Sequence, residues 1–122
     1  MMAAPTVLVV DDEPSVLQLI CHALGTYGYT ALAAADARQA LEIVKNAGPT
    51  INLMLSDVAM PGIRGPELAR EIKRLSPSIL VVFMSGNAGL AELPTGAAFI
   101  EKPFTLQALS AVLEQALHGQ TV

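Results

Sequence analysis

Five short apolar runs, separated by segments with helical periodicity, constrain the fold more than any other feature of the chain. Four of the runs are continuously apolar rather than alternating, which is typical of strands covered on both faces of a parallel sheet. The predicted strands are Thr6–Val10, Thr30–Ala34, Ile51–Ser56, Ile79–Met84 and Ala97–Ile100.

The segments between these runs predict helices. The first covers Pro14–Leu24, with proline in its first turn, and the second is capped by Asp36 and ended by Gly48 and Pro49. A third carries Leu68, Ile72 and Leu75, and Thr105 caps a last helix whose Leu106, Leu109, Leu113 and Leu117 face inward. Only thirteen residues separate Ser85 from Phe99, so the helix expected between them, near 88–93, is short or irregular.

Alternation of strands and helices predicts an α/β fold with right-handed crossovers, a doubly wound parallel sheet covered by helices on both faces. The 122 residues are the length of one domain, expected to span 1–122 with a core at about 5–118.

Charge and composition exclude several classes of partner. A net charge of −4 with seven Lys and Arg argues against direct binding to nucleic acid or to an anionic membrane. A single cysteine excludes a disulfide framework, and Cys21 itself reads as a small core residue. The N-terminus lacks the pattern of a signal peptide, which predicts a cytoplasmic location.

Polar residues follow four of the five predicted strands. Asp11 and Asp12 follow the first, Asp57 the third, Ser85 the fourth and Lys102 the fifth. In an open parallel sheet the carboxyl ends of the strands form one functional edge, so these side chains are expected to meet there. Three neighbouring carboxylates need compensating charge, and oxygen ligands without imidazole or thiolate favour Mg²⁺. An aspartate beside Mg²⁺, lysine and a hydroxyl is suited to phosphoryl transfer, with the carboxylate as nucleophile.

The motifs that carry these residues resemble the receiver domain of two-component response regulators. They are VLVVDDEPSV, LSDVAMPGIRGPEL, VVFMSG and FIEKPFT, which occur in the family's order and extend over nearly the whole chain. The resemblance implies the strand order 2-1-3-4-5. It also implies a phosphorelay partner, either a sensor histidine kinase or a phosphotransfer protein, whereas it does not name the downstream effector.

Position by position, the resemblance implies a role for each residue of this edge. Asp57 would be the phospho-acceptor, and Asp12 would bind Mg²⁺ directly while Asp11 acts mainly through water. Asp57 and the backbone carbonyl of Ala59 would supply further metal ligands.

Three other residues receive roles from the same resemblance. Ser85 and Lys102 would contact the phosphoryl group, and Phe99 would be the switch aromatic, coupled to Ser85 and to the surface near the last helix. The Lys102–Pro103 peptide bond is a candidate for the cis form. Because Ala59 has no polar side chain, a dephosphorylation rate unlike that of members with a polar residue is expected.

Three other functions compete with this one. A haloacid-dehalogenase-type phosphohydrolase also uses aspartate, Mg²⁺ and lysine, but it needs an acid two residues after the nucleophile, where this chain has Ala59. A nucleotide-binding domain is disfavoured because acids replace a glycine-rich turn after the first strand. A receiver-like interaction module that is not phosphorylated is disfavoured by the full residue set. The expected function is therefore a signalling domain that catalyses only its own phosphorylation and dephosphorylation.

Overall fold

A computed structural model describes residues 4–86, 93 and 97–118. It contains a five-stranded parallel sheet in the order β2-β1-β3-β4-β5. The strands are β1 (Thr6–Val10), β2 (Thr30–Ala34), β3 (Leu53–Asp57), β4 (Leu80–Ser85) and β5 (Ala98–Glu101). The described helices are α1 (Pro14–Thr26), α2 (Ala37–Ala47), α3 (Gly65–Leu75) and α4 (Leu106–His118), with a short 3₁₀ turn at Gly48–Thr50.

The predicted doubly wound fold and its strand order are confirmed. Most of the short helix expected near 88–93 lies outside the described residues. Within the described part of the chain, no helix is long and apolar enough to cross a membrane.

The core has two halves, one on each face of the sheet. Buried side chains of α2 and α3 pack on one face around Leu8, Met54 and Phe83. Those of α1 and α4 pack on the other face around Val9, Leu55 and Met84. Since both faces are covered, the strands are apolar throughout, and the polar residues are confined to their ends.

The helix caps predicted at Asp36 and Thr105 are confirmed. The Asp36 carboxylate accepts a hydrogen bond of 2.8 Å from the backbone N–H of Gln39, and Thr105 Oγ1 accepts one of 3.0 Å from Ala108. Each cap pairs a backbone donor that the first helical turn leaves free. Burial raises the pKa of the Cys21 thiol, which accords with a packing role for this residue on α1.

Several predicted boundaries and faces are wrong. Strand β3 begins at Leu53 rather than Ile51, because the 3₁₀ turn at Gly48–Thr50 precedes it, and α1 continues to Thr26. Leu106, predicted to face inward, is 41% exposed, since it occupies the first position of α4, and the first buried side chain of that helix is Leu109.

Candidate functional site

The carboxyl ends of β1, β3 and β5 bring Asp11, Asp57 and Lys102 into direct contact. Lys102 Nζ lies 3.0 Å from Asp11 Oδ2 and 3.0 Å from Asp57 Oδ2. The Asp11 side chain is 1% exposed, that of Asp57 12% and that of Lys102 26%. One ammonium group therefore bridges two nearly buried carboxylates that belong to different strands.

The second oxygen of each carboxylate is also held. Asp11 Oδ1 accepts a hydrogen bond of 2.9 Å from the backbone N–H of Glu13, and Asp57 Oδ1 accepts one of 3.2 Å from that of Ala59. Charged and polar donors thus fix both oxygens of each carboxylate, which limits rotation of the two side chains.

The two carboxylates determine the ionisation of Lys102. Its partial burial acts to lower the pKa, but the hydrogen bonds and charges of Asp11 and Asp57 prevail, so that the pKa is raised above its ordinary value of 10.5. Lys102 is therefore fully cationic at neutral pH. It supplies a fixed positive charge to this edge of the sheet.

The raised pKa predicts how the Lys102 pairing responds to alkali. A group whose pKa is higher in the folded protein stabilises it fully below the unfolded value and loses that effect as the pH rises through the folded value. We expect the difference in unfolding free energy between wild type and Lys102→Met to be constant up to about pH 10, the range below the ordinary lysine pKa. It should shrink at higher pH. Urea unfolding from pH 7 to 11.5 measures this difference, and one that grew with pH would contradict the pairing.

Asp12 completes an acidic cluster with Asp11 and Asp57. One carboxylate oxygen from each of the three lies within 4.8 Å of the others, and Asp12 is the exposed member. Three carboxylates face the single positive charge of Lys102, which leaves a formal excess of two negative charges. Hard oxygen donors with this excess at an open edge fit Mg²⁺, a cation that retains several waters and takes few protein ligands.

Ser85 lies at the end of β4, beside β5. Its side chain is buried, and its hydroxyl donates a hydrogen bond of 2.8 Å to the backbone carbonyl of Gly86. Its own carbonyl accepts a hydrogen bond of 2.7 Å from the N–H of Lys102. Ser85 is thus tied to Lys102 through the main chain. The hydroxyl is bonded to Gly86 and not to the carboxylates.

Phe99 is in the middle of β5, paired in register with Phe83 of β4. Phe83 is buried, whereas Phe99 is 45% exposed. Phe99 is therefore not a core residue. The Lys102–Pro103 peptide bond is cis, as predicted.

Two further features of the site were not anticipated from the sequence. The ion pair between Lys102 and Asp11 is direct, although Asp11 was expected to act mainly on a metal through water. In addition, Ser56 and Gly65 both contact the main chain of Asp57. A serine near the end of a buried strand and a glycine at the start of a helix were the available signals.

The family model of the response regulator receiver domain matches residues 7–114. The chain belongs to the receiver domain family. Receiver domains are the signalling domains of two-component systems.

Individual relatives agree with this membership. The chain is 39% identical to the sensor kinase CckA of Brucella abortus over 94% of its own length, and 39% identical to the nitrogen assimilation regulatory protein NtrX of Azorhizobium caulinodans over 93%. It spans only 13% and 26% of the length of these two relatives.

Solved structures of single receivers are matched over nearly their full length. The chain superposes on a response regulator receiver domain protein from Clostridium thermocellum with a TM-score of 0.88 at 30% identity. The match covers 96% of this chain and 97% of that one. The receiver domain of the hybrid histidine kinase CckA gives a TM-score of 0.82 at 34% identity, over 93% of this chain and 99% of that one.

Proposed function

We propose that this receiver domain accepts a phosphoryl group on Asp57 in a Mg²⁺-dependent reaction, as one step of a histidine-to-aspartate phosphorelay. The observation that supports this most strongly is the single ammonium group of Lys102, 3.0 Å from both Asp11 and Asp57 beside a three-carboxylate cluster. The proposed nucleophile, the fixed cation and the proposed metal ligands lie together at the carboxyl edge of the sheet. Phosphoryl transfer depends on the positioning and the neutralisation of charge that such an arrangement provides.

The transfer step has a simple balance. A carboxylate oxygen of Asp57 attacks phosphorus, a P–O bond forms, and the P–N bond to the donor histidine breaks. The imidazole leaves and takes up a proton. Hydrolysis reverses the modification: water attacks phosphorus, inorganic phosphate departs and the Asp57 carboxylate is restored. No oxidation or reduction occurs in either step.

Each residue of the pocket has a defined task in this scheme. Asp12, Asp57 and the Ala59 carbonyl would hold Mg²⁺, with Asp11 acting on it mainly through water and through its contact with Lys102. Bound Mg²⁺ supplies positive charge where the transferring oxygens become more negative. Lys102 supplies the protein's own fixed positive charge to the same oxygens.

The switch is proposed to involve Ser85 and Phe99. When Asp57 carries a phosphoryl group, the Ser85 hydroxyl exchanges its bond to Gly86 for one to a phosphoryl oxygen. Phe99, which is 45% exposed in this structure, then moves inward to fill the space that Ser85 vacates. The surface around β5 and α4 changes, which gives a partner two states to distinguish.

The proposed partner that donates the phosphoryl group is a sensor histidine kinase or a phosphotransfer protein. Two observations support this class: the family itself, and the occurrence of similar sequences within sensor kinases. The exposed side of the pocket, where Asp12 lies, is where a donor histidine would approach. In this scheme the domain turns over no substrate other than its own aspartyl phosphate, and it is located in the cytoplasm.

Acetyl phosphate with Mg²⁺, followed by intact-mass measurement, tests the proposal. We expect one phosphoryl adduct on the wild-type chain and none on Asp57→Asn, since an amide is a far weaker nucleophile than a carboxylate. Asp36→Asn is the matched control, because it makes the same change in a helix cap and should leave the adduct intact. An adduct that persists in Asp57→Asn, or none on the wild type, would overturn the assignment.

A further inference from the structure

The main chain of Asp57 is contacted by two residues outside the acidic pocket, Ser56 and Gly65. The pairing of β3 with β1 ends at Ser56, opposite Val10, so the carbonyl of Asp57 lies one residue beyond that ladder. The Ser56 hydroxyl, which is fully buried, donates a hydrogen bond of 3.0 Å to this carbonyl. A strand-end carbonyl thus receives a partner from the residue that precedes it.

Gly65 contacts the same carbonyl from the start of α3. A Cβ added at Gly65 would lie 2.5 Å from the Asp57 carbonyl oxygen and 2.9 Å from Val58 Cα. Both distances involve backbone atoms, so a larger residue cannot be accommodated by a side-chain rotation alone. The Gly65 N–H also donates a hydrogen bond of 2.9 Å to the Val58 carbonyl. Only glycine lets α3 begin this close to the end of β3.

We infer that Ser56 and Gly65 are positioning residues for the phospho-acceptor. Lys102 and Ala59 fix the carboxylate of Asp57 at its oxygens, while Ser56 and Gly65 fix the main chain from which that carboxylate extends. Neither residue reaches the reacting atoms; both act through the Asp57 backbone. This inference rests on the proposed function, because it concerns the rate at which Asp57 is phosphorylated.

A displacement of the Asp57 main chain should lower the rate of the chemical step more than it lowers donor binding. Misplacement of a reacting group by about 1 Å can reduce a rate about 100-fold. For Gly65→Ala we expect the maximal rate constant with acetyl phosphate and Mg²⁺ to fall about 10- to 100-fold, with little change in the acetyl phosphate concentration that gives half the maximal rate. Ser56→Ala should show a smaller fall of the same kind, and Ser56→Thr, which keeps the hydroxyl, should recover most of it.

The experiment measures this rate constant and the half-saturating concentration by intact mass, with thermal unfolding recorded for every variant. Gly25→Ala is the matched control, because a Cβ there meets nothing within 4 Å, and it should behave as wild type. A fall in the rate constant in variants that remain folded at the assay temperature supports the inference.

Two results would overturn the inference. One is a wild-type rate constant in folded Gly65→Ala and Ser56→Ala. The other is a Ser56→Thr variant that is no better than Ser56→Ala while equally folded. If Gly65→Ala does not fold, the comparison of Ser56→Ala with Ser56→Thr alone decides whether the inference stands. A wild-type chain that forms no adduct would instead refute the proposed function, so the two failures are distinguishable.

Discussion

Lys102→Met should lose about 3 kcal/mol of unfolding free energy at neutral pH without added Mg²⁺. The reason is that methionine keeps most of the side-chain volume but leaves Asp11 and Asp57, both nearly buried, as neighbouring carboxylates without a cation. Removing one member of a buried ion pair costs about 3–5 kcal/mol, and the 26% exposure of Lys102 places the expectation at the lower end. Urea unfolding measures the loss.

The same substitution should reduce phosphorylation of Asp57 by acetyl phosphate about 100-fold or more, since the fixed positive charge acts where negative charge develops in transfer. Lys73→Met is the matched control, because Lys73 is an exposed lysine of α3. It should change stability by less than about 0.5 kcal/mol and leave the adduct unchanged.

A double-mutant cycle isolates the pairing itself. Once Asp11→Asn has removed one of the two carboxylates, replacing Lys102 by methionine should cost less than it does in the wild type. Equal costs in the two backgrounds would show that the contact of Lys102 with Asp11 contributes nothing to stability, contrary to the 3.0 Å geometry.

Mg²⁺ should raise the unfolding free energy of the wild-type chain, by about 2.7 kcal/mol when its concentration is 100 times its dissociation constant. The physical reason is that the folded chain gathers three carboxylate oxygens within 4.8 Å, an arrangement that the unfolded chain lacks. Urea unfolding with increasing MgCl₂, at constant ionic strength, measures this gain.

Asp12→Asn should have two opposite effects in that experiment. Without Mg²⁺ it should stabilise the chain by up to about 1 kcal/mol, because it removes one of three crowded negative charges. With Mg²⁺ most of the gain seen in the wild type should be lost. Glu13→Gln, the same change in an exposed neighbour outside the cluster, should leave the Mg²⁺ response intact. An undiminished response in Asp12→Asn would exclude Asp12 as a ligand.

The sequence was most informative where local chemistry is decisive. Continuous apolar runs indicated strands covered on both faces, and Asp36 and Thr105 marked helix starts because each can pair a free backbone donor. Residues at strand ends could be assigned to one edge of the sheet, since parallel strands share their direction. The sequence alone therefore assigns one edge of the sheet to Asp11, Asp12, Asp57, Ser85 and Lys102.

Contacts that depend on the exact register and on neighbouring helices could not be predicted. Lys102 had more than one carboxylate within reach, and only the relative positions of β1, β3 and β5 show that it bridges Asp11 and Asp57 equally. The exposure of Leu106 and Phe99 depends on which part of each element is covered by the rest of the chain. The close approach of Gly65 to Asp57 requires the path of the loop between β3 and α3, which a motif alone does not describe.

The ion pairs of Lys102 join residues that are far apart in the chain: 91 positions separate it from Asp11 and 45 from Asp57. No local segment can assemble this pocket, so it exists only when β1, β3 and β5 are all in place. Under the proposed function, an unfolded or truncated copy has the acceptor residue but cannot be phosphorylated at a useful rate. Under the same proposal, phosphorylation is restricted to correctly folded receivers, and a damaged molecule does not acquire the phosphorylated state that a partner would recognise.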